Sequence, residues 1–385
     1  MDTPRLELAR EFATMLPARG DEIEALRQVP QDLADTIRKH GFLRQCVPED
    51  LGGFEAHPLE SLGIIEALAE GDGACAWATM VGCTTGLLGG YLDSESAAKV
   101  YGENPGVWTA GVTAPTGRAR SVDGGIEITG SWQWGSGCHH ADWLVCGSLL
   151  EGEDGRPVLD EEGRVYHLLP FVPSTEVEIL DTWHVHGMAG SGSADFKVER
   201  AFVPEGRYIR FGVTQPRLGG LYQFPLLGML GLGVCSISLG LARRAIRELV
   251  ELADGKVATG STRTIANRNY VQSAVAEAEA AVRSARALVH ESVEDAWQAA
   301  TSDVPLSLDH RASLRLATTN ASRMSAKAVD LMYNAAGGTS VYNRSPLARI
   351  FRDTHVATQH IMVSPPTYEL VGRVLLGLPT DTSVL

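Results

Sequence analysis

Apolar positions along the chain change their spacing twice. From Leu6 to Phe42 they recur at helical intervals, through Leu6, Ala9, Phe12, Leu16, Ile23, Leu26, Leu33 and Ile37. Gly41 and Pro48 punctuate the segment, and Pro48-Glu49-Asp50-Leu51-Gly52-Gly53 reads as a turn. A helix is predicted from Leu59 to Glu70. A second, from Ala74 to Leu92, is rich in Ala, Gly and Thr and suits close packing or the border of a cavity. Ser94 caps one more before Gly102. Between Val107 and about Arg210 the texture turns to Gly, Val, Thr and Trp with short breaks. Asp123-Gly124-Gly125 between β-prone runs is a hairpin signal. Further strands are expected over 145–150, 166–172, 177–180 and 196–203.

From Leu221 the helices return and lengthen. They are predicted over 226–253, 269–300, 306–336, where Gly337-Gly338 ends the run, and 345–363, stopped by Pro365-Pro366. Four long helices in series predict an antiparallel bundle. The expected fold is α+β: an N-terminal helical domain over 1–105, a middle β domain, a small barrel, over 106–215, and a C-terminal four-helix bundle over 216–385.

At 385 residues the chain is too long for one core of common size. Its 44% hydrophobic and 21% charged residues fit a globular enzyme, and its net charge of −14 argues against a nucleic-acid partner. The N-terminus lacks an apolar signal core and no uninterrupted apolar run of membrane-spanning length appears, so no membrane association and a cytoplasmic location are expected. Six cysteines without C-x-x-C spacing predict neither disulfides nor a zinc site. His184-Val185-His186 and His139-His140 lack a third ligand at suitable spacing, so no metal is expected.

One stretch stands out chemically. Gly130-Ser131-Trp132-Gln133-Trp134-Gly135-Ser136-Gly137-Cys138-His139-His140-Ala141-Asp142-Trp143 holds three of the seven tryptophans. Strand alternation puts Trp132 and Trp134 on one face, with the Ser136 hydroxyl at the strand end. Such a face fits either a core or a flat ligand that is polar at its edge.

The order of helices, β block and helices, with this stretch, resembles the acyl-CoA dehydrogenase superfamily over nearly the whole chain. The carrying motifs are Gly130 to Gly137, Thr113-Ala114-Pro115, Gly187-Met188-Ala189-Gly190-Ser191-Gly192-Ser193, Gly337-Gly338 and Arg349-Ile350-Phe351-Arg352-Asp353. The resemblance implies that Trp134 flanks a flavin ring and Ser136 bonds near its N5. It also implies that Thr113, Ser191, Gly337 and Gly338 contact the cofactor and that Arg263 meets its phosphate.

The departures from the pattern concern the base. Acyl-CoA dehydrogenation needs a carboxylate to remove the α-proton. That position falls at Ile361, and the alternative site, within Gly231-Leu232-Gly233-Val234-Cys235-Ser236, holds no acid. His360 stands beside the lost base. This combination is similar to the flavin-dependent monooxygenase branch, the oxygenase components of two-component systems. Those take reduced FMN or FAD from a separate flavin reductase, react it with O2 to a C4a-hydroperoxyflavin, and oxygenate a small aromatic, amine or sulfur-containing substrate.

His360, titrating near neutrality, is then expected to deprotonate the substrate or donate to the peroxide. Trp132, Trp134 and Trp143 would form a wall excluding water. His139, Tyr222 and Phe224 are candidate substrate contacts. No histidine follows Ala76-Trp77, where some members of the branch carry one, which weighs against a phenol hydroxylase of the best-known type and leaves amine and sulfur substrates open. The family implies a homotetramer. Two other readings stand beside this one: an acyl-CoA dehydrogenase-like oxidoreductase with a non-standard base, and a catalytically silent flavin-binding homologue.

Overall fold

A computed structural model describes residues 3–257, 259–302 and 305–385. Six helices open the chain: α1 (Pro4–Ala13), α2 (Gly20–Leu26), α3 (Gln31–Lys39), α4 (Pro58–Gly71), α5 (Gly73–Thr85) and α6 (Ser94–Ala97). Thr3 caps α1 through the Leu6 N–H at 3.3 Å, and Asp72 caps α5 through the Cys75 N–H at 2.9 Å.

The strands follow as β1 (Thr109–Val122), β2 (Gly125–Trp132), β3 (Trp143–Glu151), β4 (His167–Pro173), β5 (Glu178–Ile179), β6 (Phe196–Pro204) and β7 (Tyr208–Arg210). Asp123-Gly124 is the turn of the β1–β2 hairpin, with Gly124 at φ +74°, a conformation glycine adopts without strain. The strands form one sheet in the order β5-β6-β2-β1-β3-β4-β7. Among the described residues no pairing joins β5 to β7, so hydrogen bonds do not close the expected barrel. Both edges are short, two residues for β5 and three for β7, too few to bond along the long central strands. β1 pairs with β3 in parallel, and its register shifts between Val112 and Gly117.

The C-terminal part has three long helices, α7 (Leu226–Gly255), α8 (Asn269–Ala300) and α9 (Leu308–Ala336), and two short ones, α10 (Pro346–Ala357) and α11 (Pro366–Leu375). The helix expected over 345–363 therefore stops early. Its end turns at Thr358, whose hydroxyl donates to the His355 carbonyl at 2.7 Å, and a separate short turn covers Ile361–Val363. His360 caps that turn instead of continuing a helix.

α7 is long and apolar enough to cross a membrane by length and composition, and it lies largely buried within the protein. It packs against α4, α5 and α9. The helices before and after the sheet share one core, with Phe12, Ile37, Leu68, Met80, Val234, Leu241 and Leu314 in it, while Ile128, Trp132, Phe196 and Val198 form the sheet's own. The candidate site lies where these two cores meet.

Candidate active site

The aromatic stretch departs from simple alternation at Trp134. Trp132 is fully buried, stacks on Phe196 at 5.3 Å between ring centroids, and donates its indole N–H to the Gly147 carbonyl at 2.7 Å. β2 ends there. Trp134 adopts φ +68°, rare for a bulky residue, and its ring is 68% exposed. The two indoles thus do not share a face. The left-handed backbone is held by the Gly135 N–H on the Ala194 carbonyl at 2.9 Å and the Trp134 N–H on Asp195 at 3.3 Å. Trp143 is also displaced from the expected wall: it is half-buried, with the Arg207 guanidinium 5.3 Å from its ring.

Two residues on, the Ser136 hydroxyl is buried and doubly engaged. It accepts the Trp77 indole N–H at 2.9 Å and pairs with the Ser193 hydroxyl at 2.7 Å, which pairs with that of Ser191, also at 2.7 Å. Ser191 further accepts the Gly137 N–H through its carbonyl at 3.0 Å. Trp77, on α5, also meets the His360 ring edge-on, with centroids 5.6 Å apart and planes at 67°. The structure therefore brings Ser136 and His360 against one indole.

His360 differs electrostatically from expectation. Its Nδ1 accepts the Met362 N–H at 3.3 Å, so in the neutral ring the proton sits on Nε2. Burial, and then the Arg315 charge, push it down to about 4, so it does not titrate near neutrality. At pH 7 it is a neutral ring with an Nε2–H to donate. Ile361, at the position of the lost base, is 76% exposed, and Gly231 to Ser236 lie buried on α7 without an acid.

Two motifs prove to be halves of one contact. The Met188 N–H donates to the buried Asp353 carboxylate at 2.6 Å, which ties the loop carrying Ser191 and Ser193 to α10. A Cβ at Gly187 would lie 2.6 Å from the Arg352 carbonyl oxygen, so this approach needs glycine. Burial, then the nearby Asp72, raise the Asp353 carboxyl to about 7.

The other sequence-derived residues lie as follows. Thr113 is exposed within the β1 register shift, and its carbonyl accepts His167 Nε2 at 2.7 Å. Arg263 is exposed on the loop after α7. Lys256, at the start of that loop, bonds Ala336 and Thr339 on either side of Gly337-Gly338, so that turn and the Arg263 loop adjoin. His139 is exposed; its ring packs against Gly192, and burial and Arg27 lower its pKa. No hydrogen bond or ring contact joins it to Ser136 or His360 among the described residues. Tyr222 and Phe224 are core side chains, with the Tyr222 hydroxyl donating to the Cys46 carbonyl at 3.2 Å. A docked substrate would meet neither without repacking.

Three residues that sequence reasoning passed over complete the arrangement: Trp77, Ser193 and Arg315. Trp77 and Ser193 stood inside quoted stretches without a role. Nothing local marked Arg315.

The acyl-CoA dehydrogenase N-terminal domain model matches residues 5–95, and the C-terminal domain model matches residues 232–365. An indole-3-acetate monooxygenase of Pseudomonas putida is 33% identical over 362 residues, covering 94% of this chain and 90% of the relative. The chain belongs to the acyl-CoA dehydrogenase superfamily, in its flavin-dependent monooxygenase branch. The flavin-dependent monooxygenase oxygenase subunit HsaA of Mycobacterium tuberculosis is 30% identical over 380 residues, covering 95% of this chain and 94% of its own. The crystal structure of 3-HSA hydroxylase from Rhodococcus sp. RHA1 superposes with a TM-score of 0.90 at 27% identity, covering 98% and 97% of the two chains. In this flavin-dependent monooxygenase, a histidine and a serine thus flank an indole, and the dehydrogenase carboxylate is absent.

Proposed function

We propose that the chain is the oxygenase component of a two-component system that hydroxylates a small aromatic substrate with O2 and reduced FMN or FAD. The carrying observation is the junction at Trp77, which gathers Ser136, His360 and the serine chain while no carboxylate acts on His360 among the described residues. The relatives named for indole-3-acetate and as oxygenase subunits favour an aromatic substrate and a separate reductase. We extend to the chain a cytoplasmic homotetramer, the bundle-like packing of the C-terminal helices, and the division at residues 105 and 215.

The residues fit a flat heterocycle with polar edges. Trp134 offers an exposed ring, and the shift between Val112 and Gly117 frees the backbone around Thr113 from β3. Ser136 and Thr113 would hold the ring edge, and Arg263 with Gly337 and Gly338 would serve the phosphate end. Ser191 acts from behind, through Ser193. When bound, the reduced flavin supplies the electrons that activate dioxygen.

The chain's own work is positional. Trp77 and Ser193 fix the Ser136 hydroxyl, whose remaining hydrogen-bonding capacity is directed by those two partners. His360 presents an Nε2–H donor to the reacting atoms. The apolar surroundings of α5 and α7 keep water away from the site. An acyl-CoA dehydrogenase reading finds no base: Ile361 and Gly231 to Ser236 supply none.

Stopped-flow oxidation of reduced FMN or FAD with the protein tests the function. Oxidation slower than that of free flavin is expected, with hydroxylated product when indole-3-acetate is offered. Oxidation indistinguishable from free flavin would sink the reading and leave a silent homologue. Turnover of an amine or thioether in place of every aromatic tried would move the substrate class.

A further inference from the structure

We propose that Arg315 is a positioning residue that fixes His360 as a neutral Nε2–H donor by holding the Ile361–Val363 turn through the Met362 carbonyl. The proposal rests on His360 facing the reacting atoms, as in the function above, but it concerns the state of the imidazole and can be read without turnover.

Arg315 sits on α9 and is 4% exposed. Its Nη1 donates to the Met362 carbonyl at 2.8 Å and touches the Met362 sulfur at 3.5 Å, and its Nη2 donates to the Thr367 hydroxyl at 3.4 Å. Among the described residues no carboxylate pairs with it. A buried guanidinium is ordinarily paired, because stripping it of water is costly. Two other arginines are as deeply buried. Arg44 spreads its three nitrogens over the carbonyls of Gly52, Tyr101 and Leu51, and Arg244 has Glu248 at 3.2 Å. Arg315 matches neither case. It keeps its charge, since burial brings it down only to about 10, and it has one short hydrogen bond to a carbonyl.

That carbonyl belongs to the residue that sets the His360 tautomer. Both polar groups of Met362 are used: its N–H on His360 Nδ1 at 3.3 Å and its C=O on Arg315. These groups belong to adjacent peptide units joined at the Met362 Cα within the short Ile361–Val363 turn, so the guanidinium restrains that turn and, with it, the N–H that meets the ring. With the N–H aimed at Nδ1, a proton on Nδ1 would face another donor, so the ring proton is confined to Nε2. The same positive charge opposes a second proton on the ring. A carboxylate partner for Arg315 would cancel that effect, and none is there. The other elements against His360 add no charge. Trp77 faces it from α5, and α7 carries no charged residue over 226–242.

Met362 is thus a lever between two helical elements. It sets aside both proton-transfer roles open to His360 from the sequence and leaves the neutral ring a hydrogen-bond donor through Nε2–H.

The experiment is 15N NMR of the histidine-labelled full chain across pH 5 to 8, with His360→Asn to assign the ring, in wild type, Arg315→Met, Arg315→Lys and Thr367→Val. The wild type should show an Nε2–H tautomer that does not titrate in this range. Arg315→Met should admit an Nδ1–H population and move the titration up by about one pH unit or more. Arg315→Lys should restore most of the wild-type behaviour, and Thr367→Val, which removes one neutral contact, should change nothing. A folded Arg315→Met protein with unchanged His360 signals overturns the proposal. So does a rise in KM for indole-3-acetate but not for its neutral amide with those signals unchanged, which would make Arg315 a substrate anchor. If Arg315→Met does not fold, Arg315→Lys decides: loss of the Nε2–H preference there overturns the proposal, because Lys keeps the charge and one donor.

Discussion

The sheet side and the helical side of the candidate site hold their key groups by different physics. Ser136 is held by neutral hydrogen bonds in series, from the Trp77 indole through Ser193 to Ser191. His360 is held by the Met362 N–H within a short turn whose next carbonyl is bound by a buried cation with no carboxylate partner among the described residues. Hydroxyls rotate, so a chain of them adapts when one member is lost. A guanidinium acting through a short backbone turn has no such latitude. The sheet side is therefore the tolerant one and the helical side the exacting one.

The largest effect is expected at His360. His360→Ala should cut product formation by about 10²- to 10³-fold, the usual range for a lost preorganised hydrogen-bond donor, and raise hydrogen peroxide release per flavin oxidised. His360→Gln keeps a donor and should retain more coupling than Ala. Equal coupling in the two variants would deny the donor role. Ser136→Ala should come next: it leaves the half-buried Trp77 N–H without its partner, costs about 1 kcal/mol of stability, and increases peroxide leakage. Ser193→Ala, which leaves Ser136 with Trp77, should lose only a few-fold in coupling. If Ser193→Ala matches Ser136→Ala, the sheet side is not the tolerant one.

Smaller effects follow from protonation. Because the folded His360 sits near 4, below its unfolded value, the unfolded chain binds more protons between about pH 6.5 and 4. His360 therefore withdraws stability as pH falls through that window, and the slope of Tm against pH should flatten in His360→Asn. Asp353 has the opposite sign. Its carboxyl is raised to about 7, so the unfolded chain loses its proton first and stability declines as pH climbs from about 4 to 7. Asp353→Asn keeps an acceptor for the Met188 N–H and should remove that decline. A Tm profile that keeps its slope from pH 4 to 7 in Asp353→Asn would show that Asp353 is ionised in the fold.

Legibility along the chain tracks the range of the forces involved. The Asp123-Gly124 turn and α8 over Asn269–Ala300 came out as the spacing predicted, because each is set by neighbours in sequence. Trp134 did not. Alternation assumes the strand continues, whereas bonds to Ala194 and Asp195, some sixty residues on, turn the backbone left-handed. The fourth long helix failed where Thr358 and His360 spend their side chains on the backbone. His360 and Ser136 were found by motif position, yet of the residues that govern them Trp77 stood in a quoted stretch without a role and Arg315 had no local signal. A histidine's neighbours in space set its charge, and here they come from α5 and α9.

The hydrogen bond from Met188 to Asp353 spans 165 positions in sequence. The serine loop of the sheet cannot take its final shape until α10, made far later along the chain, has docked on it. During synthesis the loop of Ser191 and Ser193 would be finished only after nearly the whole chain has emerged. A partial chain could form its sheet early and still present no ordered serine row. Cofactor competence would then arrive as a late step of folding.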